Sequence, residues 1–220
     1  MKSDKVQFTR IPAGEALLGL RRGDPEVLSL IEEDGVWWES MSPQRLESMP
    51  EFSISTSPIS YEQVRAVLPG VPIPEGVAVH QVARVGWGVA DKAAKLLGGR
   101  LPTEDEWEYA CRGGSQSLFS FGRLSEDDDP LEPWMRWEVD VGAENGYGLK
   151  CLYTGEWCSG FWGLRTSTGP QIEEGVRVMR GGGAYFWPWQ DEEWRWCMSA
   201  SRTPSSQLPD SEWSFRVVLD

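Results

Sequence analysis

The chain has 220 residues, and a 40% share of hydrophobic side chains is enough to build one domain with a core, here taken over residues 1–220. Its net charge of −13 argues against nucleic-acid binding, because no surplus of Lys or Arg is present to offset phosphate charge. With His80 as the only histidine and no Cys-x-x-Cys, the usual structural zinc sites and multi-histidine iron sites lack their ligands.

No apolar run approaches the ~18 residues of a membrane span, and the first residues lack the apolar stretch of a signal peptide. The expectation is a cytoplasmic protein with no membrane partner. Thirteen tryptophans are about three times the number that ordinary ~2% usage provides, so these side chains need an explanation.

In chain order, Val6–Ile11 alternates apolar and polar as a half-buried strand does, and a second short strand, Ala16–Leu20, follows a turn at Pro12–Glu15. Residues 21–50 are acidic and irregular and read as a long loop, within which Trp37 and Trp38 must pack onto the body or form a surface. Phe52–Thr56 alternates again. Ser60 is placed to cap a helix over Tyr61–Leu68.

The spacing of Ala90, Ala93, Ala94 and Leu97 predicts a helix over Val89–Leu97, ended by Gly98 and Gly99. Thr103 and Glu106 form a capping-box pattern for a helix from Glu104 to Arg112, with Trp107, Ala110 and Cys111 on its inward face. Residues 115–180 read as loop-rich, with Asp127–Asp129 a solvated turn lacking the oxygen spacing of a calcium loop. Val176–Arg180, Trp194–Ala200 and Ser214–Leu219 read as strands.

The block Gly99–Gly114, with Arg100-Leu101-Pro102-Thr103-Glu104 at its head, resembles the signature of the formylglycine-generating enzyme (sulfatase-modifying factor) family. Phe8–Leu20, Val85-Gly86-Trp87, Asn145–Leu149, Glu156-Trp157-Cys158, Arg180-Gly181-Gly182-Gly183, Ala200-Ser201-Arg202 and Ser214–Val217 are similar, in order, to other segments of that family. The resemblance implies an α+β fold, a variant of the C-type-lectin fold. Short helices would pack on a small, twisted, mostly antiparallel sheet with much irregular structure. It also implies a choice among functions, since the family holds copper oxidases, iron enzymes and binding proteins.

Two departures from the family pattern bear on chemistry. The copper oxidases carry a close pair of cysteines just after the Arg-Gly-Gly element, and soft thiolates suit Cu(I). Here Gly183–Trp196 contains none, and Cys197 is the only thiol nearby. The family's calcium-binding loop is matched by Gly148–Trp157, which is shorter, lacks the Asp and Asn oxygens and adds Lys150. The expectation is therefore no cofactor, with the copper and calcium sites both lost. Cys111 and Cys197 match roughly a cysteine pair bridged in secreted relatives; two buried thiols and a disulfide both remain open.

The segment without copper ligands is rich in aromatics: Tyr185, Phe186, Trp187, Trp189, Trp194 and Trp196, beside Asp191, Glu192 and Glu193. Three readings stand. In the first, the rings fill a core poor in long helices. In the second, with Arg195 and Arg202, they form a hot-spot patch for a protein or peptide. In the third, they form an acidic-walled cage for a small cationic or sugar-like molecule.

The leading expectation is a non-catalytic recognition module. Its ligand- or partner-binding residues are Trp187, Trp189, Trp194, Trp196, Asp191, Glu192, Arg195 and Arg202. The alternative is an oxygen-dependent modifying oxidase of a biosynthetic pathway, as implied by relatives in pyoverdine maturation, with Cys197, Tyr185, Glu192 and Arg202 as candidate catalytic residues. A scaffolding subunit of a larger complex is the third expectation.

Overall fold

The computed structural model describes residues 5–29, 36–120, 144–152, 154–166, 169–181, 198–205 and 212–220. Its first strand, β1 (Phe8–Ile11), pairs antiparallel with β4 (Phe52–Ser55), and the other edge of β4 pairs with β9 (Val218–Leu219). β2 (Gly14–Leu18) pairs instead with β3 (Arg45–Met49). The two opening strands thus enter different sheets and do not pair around a turn. The Tyr109 hydroxyl donates to the Pro12 carbonyl at 3.0 Å, and a Cβ on Gly14 would lie 2.8 Å from that hydroxyl. The chain therefore passes beneath Tyr109 rather than folding back on itself.

The loop expected over residues 21–50 holds a one-turn helix α1 (Pro25–Leu28), a helix α2 (Val36–Met41) and strand β3. Asp24 caps α1, accepting from the Glu26 N–H, and Pro25 opens the helix. These elements are too short to carry a readable period. Trp38 is buried and packs onto the body.

Helix α3 (Tyr61–Val67) starts from a capping box in which Ser60 and Gln63 bond reciprocally. Helix α4 (Trp87–Leu96) begins earlier than the alanine spacing indicates and buries Ala90, Ala93 and Ala94. Helix α5 (Glu104–Arg112) has the capping box expected of Thr103 and Glu106, and it ends on Gly113 in the left-handed conformation, φ 59°. Trp107, Ala110 and Cys111 face inward as expected, but Glu106, Glu108, Tyr109 and Arg112 are buried as well. α5 is therefore a central strut with polar contacts on its other side.

The loop-rich span expected before Arg180 contains the longest hairpin among the described residues, β5 (Glu156–Thr166) with β6 (Gly169–Arg180). The four-stranded sheet runs β7-β6-β5-β8, where β7 is Arg202–Pro204 and β8 is Ser214–Phe215, the latter parallel to β5. The strand expected over Ser214–Leu219 is divided between β8 and β9, which belong to different sheets, because the side chain of Arg216 turns inward between them. Of the strand expected over Trp194–Ala200, residues 194–197 lie outside the described residues. Met198 makes a single bridge to Phe119, and a turn follows.

Two apolar clusters are seen among the described residues. One gathers Ile11, Leu18, Phe52, Ile54 and Leu149 around Trp107 and Tyr109. The other packs Tyr61, Ala90, Ala94, Trp157, Trp213 and Phe215. Trp38, Trp107, Trp157, Trp162 and Trp213 are all buried and belong to the interior. Among the described residues no helix is long and apolar enough to cross a membrane.

Candidate functional site

The acidic residues of α5 organise a buried ionic cluster at the two ends of the aromatic segment. Glu108 is 1% exposed. Its Oε1 accepts from the Gly19 N–H at 2.7 Å and from Arg112 Nη2 at 2.7 Å and Nε at 3.0 Å. Its Oε2 accepts from Arg180 Nη2 at 2.8 Å. Burial alone would raise this carboxyl, but Arg180, Arg112 and the Gly19 N–H outweigh it and hold the carboxyl at about 2.

Arg180, the last residue of β6, also donates to the Ser199 carbonyl at 2.7 Å and lies 3.5 Å from Glu104. Arg202, at the start of β7, donates through Nε and Nη2 to both oxygens of Glu104, the Nη2 bond measuring 2.9 Å. It also donates to the Ser40 carbonyl at 3.0 Å and lies over the Trp162 ring at 4.7 Å. Ser199 N–H donates to the Leu118 carbonyl at 2.7 Å, and the Cys111 thiol donates to Ser199 Oγ at 3.5 Å.

The chain is therefore fixed to α5 at Arg180 as it leaves β6 and again at Ser199 and Arg202 as it returns. Arg180 Nε, Ser201 Oγ and Thr203 Oγ1, beside these anchors, are buried without hydrogen-bond partners among the described residues. Next to the cluster an open depression of about 200 Å³ is lined by Thr103, Glu104, Asp105, Ser159 and Gly160.

Of the residues expected to form the site, Tyr185, Trp187, Trp189, Asp191, Glu192, Trp194, Arg195, Trp196 and Cys197 lie outside the described residues. Arg202 is described, and the surface contact expected of it is corrected. It is 3% exposed and its guanidinium faces Glu104, because a bidentate carboxylate and a ring face hold it inside. Its place is that of a strut. Sequence reasoning missed Arg180, Glu104, Glu108 and Ser199. The available signal is the acidic start of α5, Glu104-Asp105-Glu106, of which the capping-box pattern accounts only for Glu106.

A second buried cluster underlies the loop compared above with a calcium site. Arg216 is fully buried and donates to Glu156, to the carbonyls of Ser55 (3.0 Å) and Thr56 (2.8 Å), and to the Lys150 carbonyl. Trp107 Nε1 donates to Glu156 Oε2 at 2.8 Å. A guanidinium thus occupies the Glu156 carboxylate and the carbonyls of Ser55, Thr56 and Lys150.

Cys111 and Cys158 are buried free thiols, and Cys151 is buried. Burial pushes the Cys111 thiol up to about 12 and Cys158 well above the ordinary thiol value.

Compared with known proteins, residues 2–220 match the family model described as a sulfatase-modifying factor enzyme 1-like domain. The chain is 32% identical over 118 residues to the formylglycine-generating enzyme of Streptomyces coelicolor, an alignment covering 54% of this chain and 32% of that enzyme. It spans from about a third to less than half of the length of the curated relatives it matches first.

PvdO from Pseudomonas aeruginosa superposes with a TM-score of 0.69 at 17% identity, covering 98% of this chain and 94% of that one. Treponema denticola variable protein 1 gives 0.65 at 19% identity, covering 96% and 94%. These two likenesses concern the fold.

Proposed function

The chain belongs to the sulfatase-modifying factor enzyme 1-like family, and from that premise we propose that it is a catalytically divergent member acting as a recognition module, with Trp187, Trp189, Trp194 and Trp196 as the contact residues for a protein, peptide or small-molecule ligand. One observation carries this reading. Gly183–Trp196 contains four tryptophans and no cysteine, while the residues on either side, Arg180 and Arg202, are bound to Glu108 and Glu104 of α5. A segment anchored at both ends is suited to present large, rigid rings, which supply contact area at small entropic cost.

The donor sets of the family's copper and calcium sites do not fit this chain. A copper site of the family's kind needs a close pair of thiolates, but Cys197 is the only thiol close to that segment in sequence, and the Cys111 and Cys158 thiols are pushed up by burial. Around the shortened loop, the carbonyls of Ser55, Thr56 and Lys150 already accept from Arg216. A hard divalent ion there would meet a fixed positive charge.

The test is a Trp187→Ala, Trp189→Ala double variant, immobilised beside the unaltered chain and exposed to host extract. The double variant is expected to lose a partner that the unaltered chain retains while its melting temperature stays nearly unchanged. A large fall in melting temperature would assign these rings to the core instead. Oxygen consumption with a genuine substrate would favour the oxidase alternative.

A further inference from the structure

Arg177 of β6 is held between two aromatic faces. Its guanidinium carbon lies 3.6 Å from the centroid of Trp87, at the start of α4, and 3.9 Å from that of Phe161, its cross-strand partner on β5. The surrounding bonds fix the stack. Trp87 Nε1 donates to the Cys158 carbonyl at 2.8 Å, and the Arg177 backbone N–H donates to Ser205 Oγ at 2.8 Å. The guanidinium itself donates only one long bond among the described residues, from Nη1 to the Ser159 carbonyl at 3.4 Å.

Arg45, Arg100, Arg180, Arg202 and Arg216 each face a carboxylate. Among the described residues, Arg177 faces none. It is also only partly buried, and Phe161 is 39% exposed.

We propose that Arg177, stacked between Trp87 and Phe161, is the anchor of a carboxylate-binding site. With two ring centroids within 4 Å of the guanidinium carbon, further bonds are directed to the edge of the guanidinium, where the N–H fork matches the two oxygens of a carboxylate. The stack also sets the orientation of the fork before binding, which removes part of the ordering cost. Among the described residues no carboxylate offsets this cation, so an acidic group brought from outside complements its local charge.

The exposed ring of Phe161 provides an apolar wall, so the ligand carries its carboxylate next to apolar atoms. A peptide C-terminus and an aspartate or glutamate side chain both supply that chemistry. The site uses none of the four tryptophans of the aromatic segment, so it stands or falls separately from the reading above.

The experiment titrates the full chain with N-acetyl-phenylalanine, N-acetyl-aspartate amide and N-acetyl-phenylalanine amide, each to about 50 mM, a range that covers single-carboxylate affinities. The indole N–H of Trp87 and the Nε–H of Arg177 are followed by nitrogen-edited NMR. At least one carboxylate is expected to shift both signals saturably, and the amide to shift neither. A stronger response to N-acetyl-phenylalanine identifies a C-terminus, and a stronger response to N-acetyl-aspartate amide identifies an acidic side chain.

Arg177→Gln should weaken binding by about tenfold or more, and Arg177→Lys should fall between, keeping the charge but losing the fork. The proposal is overturned if neither carboxylate gives a saturable shift, if the amide binds as well, or if a folded Arg177→Gln chain binds unchanged. The amide control in the unaltered chain decides the matter even if a variant does not fold.

Discussion

The buried arginines Arg112, Arg180, Arg202 and Arg216 each meet a glutamate, and the pairing is needed because an ion removed from water costs several kcal/mol unless it is matched. The thiols lie close to the same charges without being activated by them. For Cys111, burial outweighs the hydrogen bond to Ser199 and the nearby Arg180, leaving the thiol at about 12. Both Cys111 and Cys158 are therefore protonated at pH 8 and shielded from reagent. Iodoacetamide at that pH should leave both unlabelled in the native chain and label both once guanidinium has unfolded it, as read by peptide mapping. Rapid native labelling of either would contradict this account of their surroundings.

Helix α5 shows how local chemistry and tertiary packing divide the work. Thr103 Oγ accepts from the Glu106 N–H at 3.2 Å, and Glu106 Oε2 accepts from the Thr103 N–H at 2.7 Å. These bonds satisfy two N–H groups that the helix leaves open. Thr103→Ala should lower stability by about 1 kcal/mol, seen as a lower urea midpoint with unchanged slope, while Thr103→Ser should stay close to the original. An unchanged midpoint in the alanine variant would mean that packing alone holds the helix start. The β5–β6 hairpin is the opposite case. Its register shifts between Trp157 and Gly163, so no continuous alternation is present to be read, and only Val176–Arg180 stood out in the sequence.

Across the whole molecule, Glu108 links the end of β2, the C-terminal turn of α5 and the end of β6 through Gly19, Arg112 and Arg180. Its carboxyl is held at about 2, below its ordinary value of 4.5, so it stabilises the fold fully above that ordinary value. The stabilisation is lost as pH falls from about 4.5 through about 2, and amounts to something on the order of 3 kcal/mol. Glu106 acts in the same direction: burial opposes its ionisation, but Arg100 and the Thr103 N–H outweigh that and lower its carboxyl. For Glu156, burial prevails over Arg216 and Trp107 and its carboxyl is raised, so it does not contribute to this acid-side loss. Urea midpoints measured from pH 5 down to pH 2 should fall steadily, and a flat profile would mean that the cluster around Glu108 is not coupled to folding.

The α+β class, the helices begun by Ser60 and Thr103 and the family itself were legible in the sequence, because caps, glycine stops and the Arg100–Gly114 block act over a few neighbouring residues. The absence of cysteine from Gly183–Trp196 could be read in the same way. Only the tertiary structure decided that β1 and β2 enter different sheets, that Arg202 turns inward to Glu104, and that Trp87 and Phe161 enclose Arg177. Each of these joins residues far apart in the chain, and which distant partner meets a given strand or charge depends on how the whole chain packs.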